Sequence, residues 1–275
     1  MSATPVAVPA PTPRLPILRL LDPRERRLAV AVGIFAALSV ALSAYAMLGW
    51  PLWAAAGLFL VTLVIPGSIK WRADLAAYGP EVMVLSILLV AQGFHTIEHI
   101  VQWIQNHVLL WSLRASTGVI SPANAEWVHF VWNWAVLLIV AWLVWRGMRN
   151  PFAWILLAWA TAHTLEHTYL MAQHLVVLSD LRGFGITKLT AQGLPGVLGI
   201  DGWLARSDLT QGTFLCRIPF LTTATRLDVH FWWNIGEVVL LTLAANVWLR
   251  ARFAEADRVA YDRADASASE GGATA

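Results

Sequence analysis

Six stretches of about 20 mostly apolar residues run through this chain, near 28–49, 52–69, 81–105, 126–147, 151–178 and 228–250, each long enough to cross a bilayer as a helix. In hydrocarbon every backbone N–H and C=O must be satisfied inside the protein, which an α-helix does within its own segment. The expected fold is therefore an all-α integral membrane protein with six transmembrane helices. Composition agrees: 58% hydrophobic residues, 13% charged residues and a mean hydropathy of +0.60 exclude an ordinary soluble domain.

Two of these runs carry the same ionisable phrase. His95-Thr96-Ile97-Glu98-His99 in the third recurs as His163-Thr164-Leu165-Glu166-His167 in the fifth. A second phrase follows each copy. Val128-His129-Phe130-Val131-Trp132-Asn133 opens the fourth run, and Val229-His230-Phe231-Trp232-Trp233-Asn234 opens the sixth. The chain thus reads as a parallel internal repeat, with units at about 81–147 and 151–250 forming a four-helix core. The first two runs lack ionisable residues in their apolar centres and read as scaffold. The connections within the units differ, 106–125 in the first and the Gly- and Pro-rich 179–227 in the second. A long loop beside a site serves as a lid or docking surface, or is irregular filler, and both readings stand.

Orientation follows from Lys and Arg. With the N-terminus inside, the inner segments hold thirteen (Arg14, Arg19, Arg24, Arg26, Arg27, Lys70, Arg72, Arg146, Arg149, Arg250, Arg252, Arg258, Arg263). The outer segments hold six (Arg114, Arg182, Lys188, Arg206, Arg217, Arg226). Both termini are expected in the cytoplasm of a cell-membrane protein. The Pro- and Arg-rich residues 1–27 are expected to form a disordered cytoplasmic leader, not a cleavable signal, and the polar tail 254–275 is expected to be disordered. A net charge of +2 gives no reason to invoke nucleic acid, and a single cysteine, Cys216, cannot build a disulfide or a thiolate cluster.

A charged side chain within a span costs roughly 2.5–3.5 kcal/mol on insertion scales, so its presence defaults to function. At about 100° per residue His95 and His99 share a helix face with Glu98 beside them, and His163, Glu166 and His167 repeat the arrangement. Residues at corresponding depth on the fourth and sixth spans add His129 and His230, toward the extracytoplasmic side. The expected ligands are His95, Glu98, His99, His129, His163, Glu166, His167 and His230. Six imidazoles and two carboxylates suit two transition-metal ions, iron first, with copper, manganese or zinc compatible. A four-helix core with inward His and Glu is a known frame for a dinuclear site. Gln92, Asn133, Asn234 and His174 are placed to support the ligands, and Glu237 and Tyr169 to handle protons. His107 is one residue out of register and is set aside.

The two His-x-x-x-His spacings, His95/His99 and His163/His167, resemble those of membrane desaturases and hydroxylases, which build a di-iron site from several histidine boxes. The resemblance stops at the spacing: this chain has no His-x-x-His-His box, and its site is expected on the outer side. The His-x-x-Glu-His order also resembles the inverted zinc-peptidase motif. That motif occurs once in soluble domains, and its duplication within a membrane argues against a peptidase.

The expected function is a membrane metal-dependent oxidoreductase acting on a small apolar or lipid-soluble substrate, with membrane lipid around it and an electron-donor protein as partner. Two other functions use the same residues. In a b-type haem protein the histidines would be axial ligands, which leaves the duplicated glutamates unexplained. In a divalent-metal transporter or chaperone they would form a relay, which their clustering in one layer disfavours. Interhelical hydrogen bonding, the usual role of a lone histidine in a span, fits poorly with six at matching positions.

Overall fold

The computed structural model describes residues 15–23, 26–186 and 194–272. The expectations for residues 1–14, 24–25, 187–193 and 273–275 lie outside that set. The fold is all-helical, with no strand among the described residues: α1 (Pro16–Leu21), α2 (Arg27–Ala46), α3 (Leu52–Tyr78), α4 (Pro80–His107), α5 (Glu126–Trp145), α6 (Pro151–Arg182), α7 (Trp203–Arg206) and α8 (Arg226–Gly272). Short 3₁₀ turns at Ser121–Asn124 and Phe214–Arg217 lie in the connections. Five helices are long and apolar enough to cross a membrane: α2, α3, α4, α5 and α8 as far as Val259. At 32 residues α6 has the length, but its run of His, Glu and Thr dilutes its hydropathy.

Local chemistry sets the ends. Proline opens α1, α4 and α6 at a position whose N–H would be unpaired anyway. Asn150 caps α6, its Oδ1 accepting from the Ala153 N–H at 3.1 Å. The α4–α5 and α6–α8 connections lie at one end of the bundle, called here the loop end. At the opposite end the Glu81 carboxylate accepts from Arg146 and Arg252, joining α4 to α8 and to the end of α5.

The four helices α4, α5, α6 and α8 are each divided in the same way. Away from the loop end they supply the apolar core: Val82, Leu85 and Leu89 from α4, Val140 and Leu143 from α5, Leu156 from α6, Leu241 and Leu249 from α8. Toward the loop end the inward positions become His, Glu, Gln and Asn. An apolar half therefore anchors a polar half.

Three sequence expectations change. α3 continues nine residues past the expected end at 69, to Tyr78, and buries an ion pair, Lys70 with Asp74, which also reaches Ser86 on α4. The scaffold helices are thus not free of buried charge. Residues 16–21, expected in a disordered leader, form α1, and α8 continues helically through 254–272, where composition alone suggests no order. One contact joins the two segments: the Arg19 guanidinium grips the Asp257 carboxylate through two hydrogen bonds of 2.8 and 2.7 Å, and donates to the Tyr78 hydroxyl at 3.2 Å. A forked, charge-assisted pair of this kind fixes geometry as well as adding energy.

Candidate metal centre

The six repeated histidines meet in one chain of ring contacts. His95 on α4 lies 4.7 Å from His99 and 5.7 Å from His129 of α5, centroid to centroid. On the other side His167 of α6 lies 5.0 Å from His163 and 4.8 Å from His230 of α8. His129 bridges the two triads, stacked on His167 at 5.2 Å and on His230 at 5.6 Å. In the first triad one ligand atom from each of His95, His99 and His129 lies within 4.8 Å of the others. All but His95, which is partly buried, are nearly or fully inaccessible.

Hydrogen bonds decide which nitrogen is offered by four of the six rings. The Asn124 amide N–H donates to the Thr117 carbonyl, so its Oδ1 accepts from Gln102 Nε2 at 2.6 Å. That turns Gln102 Oε1 toward His99 Nδ1 at 3.1 Å. An amide oxygen only accepts, so Nδ1 carries the proton and Nε2 keeps a lone pair. His167 Nδ1 lies 3.0 Å from Glu126 Oε1, His163 Nδ1 3.4 Å from Glu237 Oε2, and His129 Nδ1 3.4 Å from the Ala125 carbonyl. Each of these four rings is held from behind at Nδ1.

At the front, the Nε2 atoms of His95, His99, His163, His167 and His230 are buried with no hydrogen-bond partner. An orphaned buried polar atom costs about 1–3 kcal/mol, so five cost roughly 5–15 kcal/mol, comparable to the whole stability of a domain. Donation of the far ring nitrogen to a carboxylate or carbonyl is the usual support for a metal-bound imidazole. In the first triad, where the ligand atoms converge, the residues present therefore fit a metal ion.

The two repeated glutamates turn elsewhere. Glu98 accepts the backbone N–H groups of Val119 at 3.0 Å and Ile120 at 2.7 Å. Glu166 accepts those of Val197 at 3.0 Å and Leu198 at 3.4 Å. Each carboxylate, expected among the ligands, anchors the loop that follows its helix. Gly118 and Gly196, just before these N–H groups, make the seat possible, since a Cβ on either would fall on the glutamate carboxylate. Gly118 also has φ +74°, a left-handed backbone. We expect Gly118→Ala and Gly196→Ala each to cost about 1–3 kcal/mol in local strain and overlap and to speed proteolysis within the adjacent loop. Unchanged protease protection would rule out this anchoring role.

The remaining expected residues are distributed as follows. Gln92 joins three helices, accepting from Trp132 Nε1 at 3.1 Å and donating to Glu237 Oε2 at 2.9 Å and Asn234 Oδ1 at 3.5 Å. Asn133 and Asn234 donate back to the carbonyls of His129 and His230, both at 2.9 Å, and so brace their own helices. Glu237 belongs to the cluster through His163. Tyr169 instead accepts from Gln173 at 2.6 Å; two residues past His167 puts it about 200° around α6. His174 has a buried Nδ1 without a partner but makes none of the ring contacts joining the six, among the described residues. His107 pairs with Asp228 at 2.7 Å, near the protein surface.

Sequence reasoning missed Glu126 and Arg226. Glu126 Oε2 accepts from Arg226 Nη2 at 3.0 Å while Oε1 faces His167. The signal was there: a carboxylate three residues before His129 and a guanidinium four before His230, each on the same helix face as the histidine. Each triad is also flanked by an indole, Trp132 at 5.0 Å from His95 and Trp233 stacked 5.2 Å from His163. Compared with protein-family models, curated proteins and solved structures, the chain matches none.

Proposed function

We propose that the chain is a membrane metalloprotein whose two histidine triads, His95/His99/His129 and His163/His167/His230, hold two transition-metal ions. In this reading it spans the membrane six times, α6 included, with units 81–147 and 151–250 as a parallel repeat, both termini cytoplasmic and the loop end outside. The observation that carries the proposal is the set of five buried, partnerless Nε2 atoms, three of them, on His99, His163 and His167, belonging to rings held at Nδ1. With Glu98 and Glu166 engaged by the loops, the donors are imidazole nitrogens. That set favours iron, copper or zinc over manganese, and iron is the ion we assign.

A redox metal pair in an apolar setting supplies electron-transfer and oxygen chemistry when bound, and the activity we propose is oxidation of a small lipid-soluble substrate, with electrons from a donor protein. The chain's own residues orient the rings through Glu126, Glu237 and Gln102, exclude water through Trp132 and Trp233, and hold a proton acceptor at Glu237 Oε1, a buried atom without a partner.

Elemental analysis and an absorption spectrum of detergent-purified protein test this reading. The expected result is about two equivalents of iron per chain and no Soret band. Zinc alone at full occupancy would overturn the redox assignment, and a Soret band would replace it with a haem protein. Absence of any metal would overturn the centre itself.

A further inference from the structure

A cavity of about 720 Å³ lies between α2, α3, α4 and α5 and reaches the first triad. Most of its wall is hydrocarbon and aromatic: Ile34, Phe59, Leu63, Ile87, Val90 and Phe94 are representative. Polar groups come at two places, Lys70 toward one end and His95, His99 and His129, with Glu98 and Asn124, toward the loop end. A mostly apolar cavity of this size with a few convergent polar groups is the ordinary form of a small-molecule site.

Its mouth opens sideways. The wall residues Ile34, Val64 and Ile97 are also 44%, 56% and 54% exposed, on helices apolar enough to cross a membrane. The medium at that opening is hydrocarbon, and the abundant solute there is lipid. Along α4 the wall runs from Ile87 to His99, about 18 Å at the helical rise. One leaflet of a bilayer core about 30 Å thick is about 15 Å deep, so the cavity matches the reach of one extended acyl chain. His163, His167 and His230 do not line it, and Trp233 covers the face of His163.

We propose that this cavity takes up the alkyl chain of a fatty acid from the bilayer and presents it to the His95/His99/His129 triad alone. The inference rests on the metal reading and gives it a substrate class. It also makes the triads unequal: the first faces substrate, and the second, backed by Glu126 and Glu237, is closed off.

The test uses the full-length protein in lipid nanodiscs with stearic acid carrying a mid-chain diazirine, irradiated, digested and mapped by mass spectrometry, with metal content measured on the same sample. Adducts on Leu63, Val90 and the peptide carrying His95 and His99, removed by excess unlabelled stearic acid, are expected. Filling the cavity by Ala91→Trp, or from the other wall by Leu63→Trp, should lower specific labelling by about tenfold while leaving metal content unchanged. Adducts spread over outward positions such as Phe35 and Leu138, without competition, would overturn the proposal, as would competed adducts on the peptide carrying His163 and His167. Competed labelling of the cavity in protein that binds no metal would uphold the lipid site and overturn the metal reading, so the two fail separately.

Discussion

Replacing Glu126 with alanine is expected to destabilise the metal-free protein by about 3–5 kcal/mol, the cost of removing one member of a buried ion pair. Its carboxylate side chain is 2% exposed, and it holds His167 Nδ1 at 3.0 Å and Arg226 Nη2 at 3.0 Å, with Arg226 itself at 12%. Removing it takes one acidic partner from a guanidinium largely out of water and the acceptor from His167 in one step. Glu126→Gln keeps an acceptor for the imidazole but not the charge, so its loss should be smaller. Removing Arg226 as well should recover part of the stability, because the two changes fall on one ion pair and are not additive. Denaturant titration in detergent, followed by tryptophan fluorescence, measures all four proteins. A loss below about 1 kcal/mol for Glu126→Ala, the range of an exposed pair, would mean that the site is wet and the pair unimportant.

Truncating one histidine per triad should give the largest change in composition. We expect His167→Ala to retain about one equivalent of metal, His99→Ala about one, and the double variant none, because each change removes one of the three imidazoles on which an ion depends. The order of loss carries information. If either single change empties both sites, the two triads are one centre, joined through the stacked rings of His129, His167 and His230. Metal content unchanged in the double variant would exclude these histidines as ligands. Metal analysis after dialysis against a weak chelator, with circular dichroism as the folding control, separates lost binding from lost structure.

Much of this arrangement was legible from spacing alone. Apolar runs locate the helices, and the duplicated phrases identify the six histidines that meet. What spacing could not convey is the direction in which a carboxylate turns. Glu98 lies beside His99 on the helix surface, yet its oxygens are satisfied by N–H groups 21 and 22 residues away, and only the path of the loop determines that. The same limit hid Glu126, whose partner His167 is 41 residues distant on another helix. Tyr169 went the other way: it was grouped by nearness in sequence, whereas 3.6 residues per turn puts it on a different face from the histidines. The end of α3 was misjudged because Lys70 and Asp74 resemble an exposed helix exit, and each neutralises the other only once they are packed against Ser86.

The seating of the loops on Glu98 and Glu166 places surface and interior on a common mechanical part. Each glutamate is the residue immediately before a histidine of its triad, so one turn of helix carries both the grip on the loop and a ring of the histidine cluster. With a metal held at those rings as proposed, a change in its radius that rotated the turn would move the loop surface with it. Anything that docks on the loops would then sense what the centre holds without touching it.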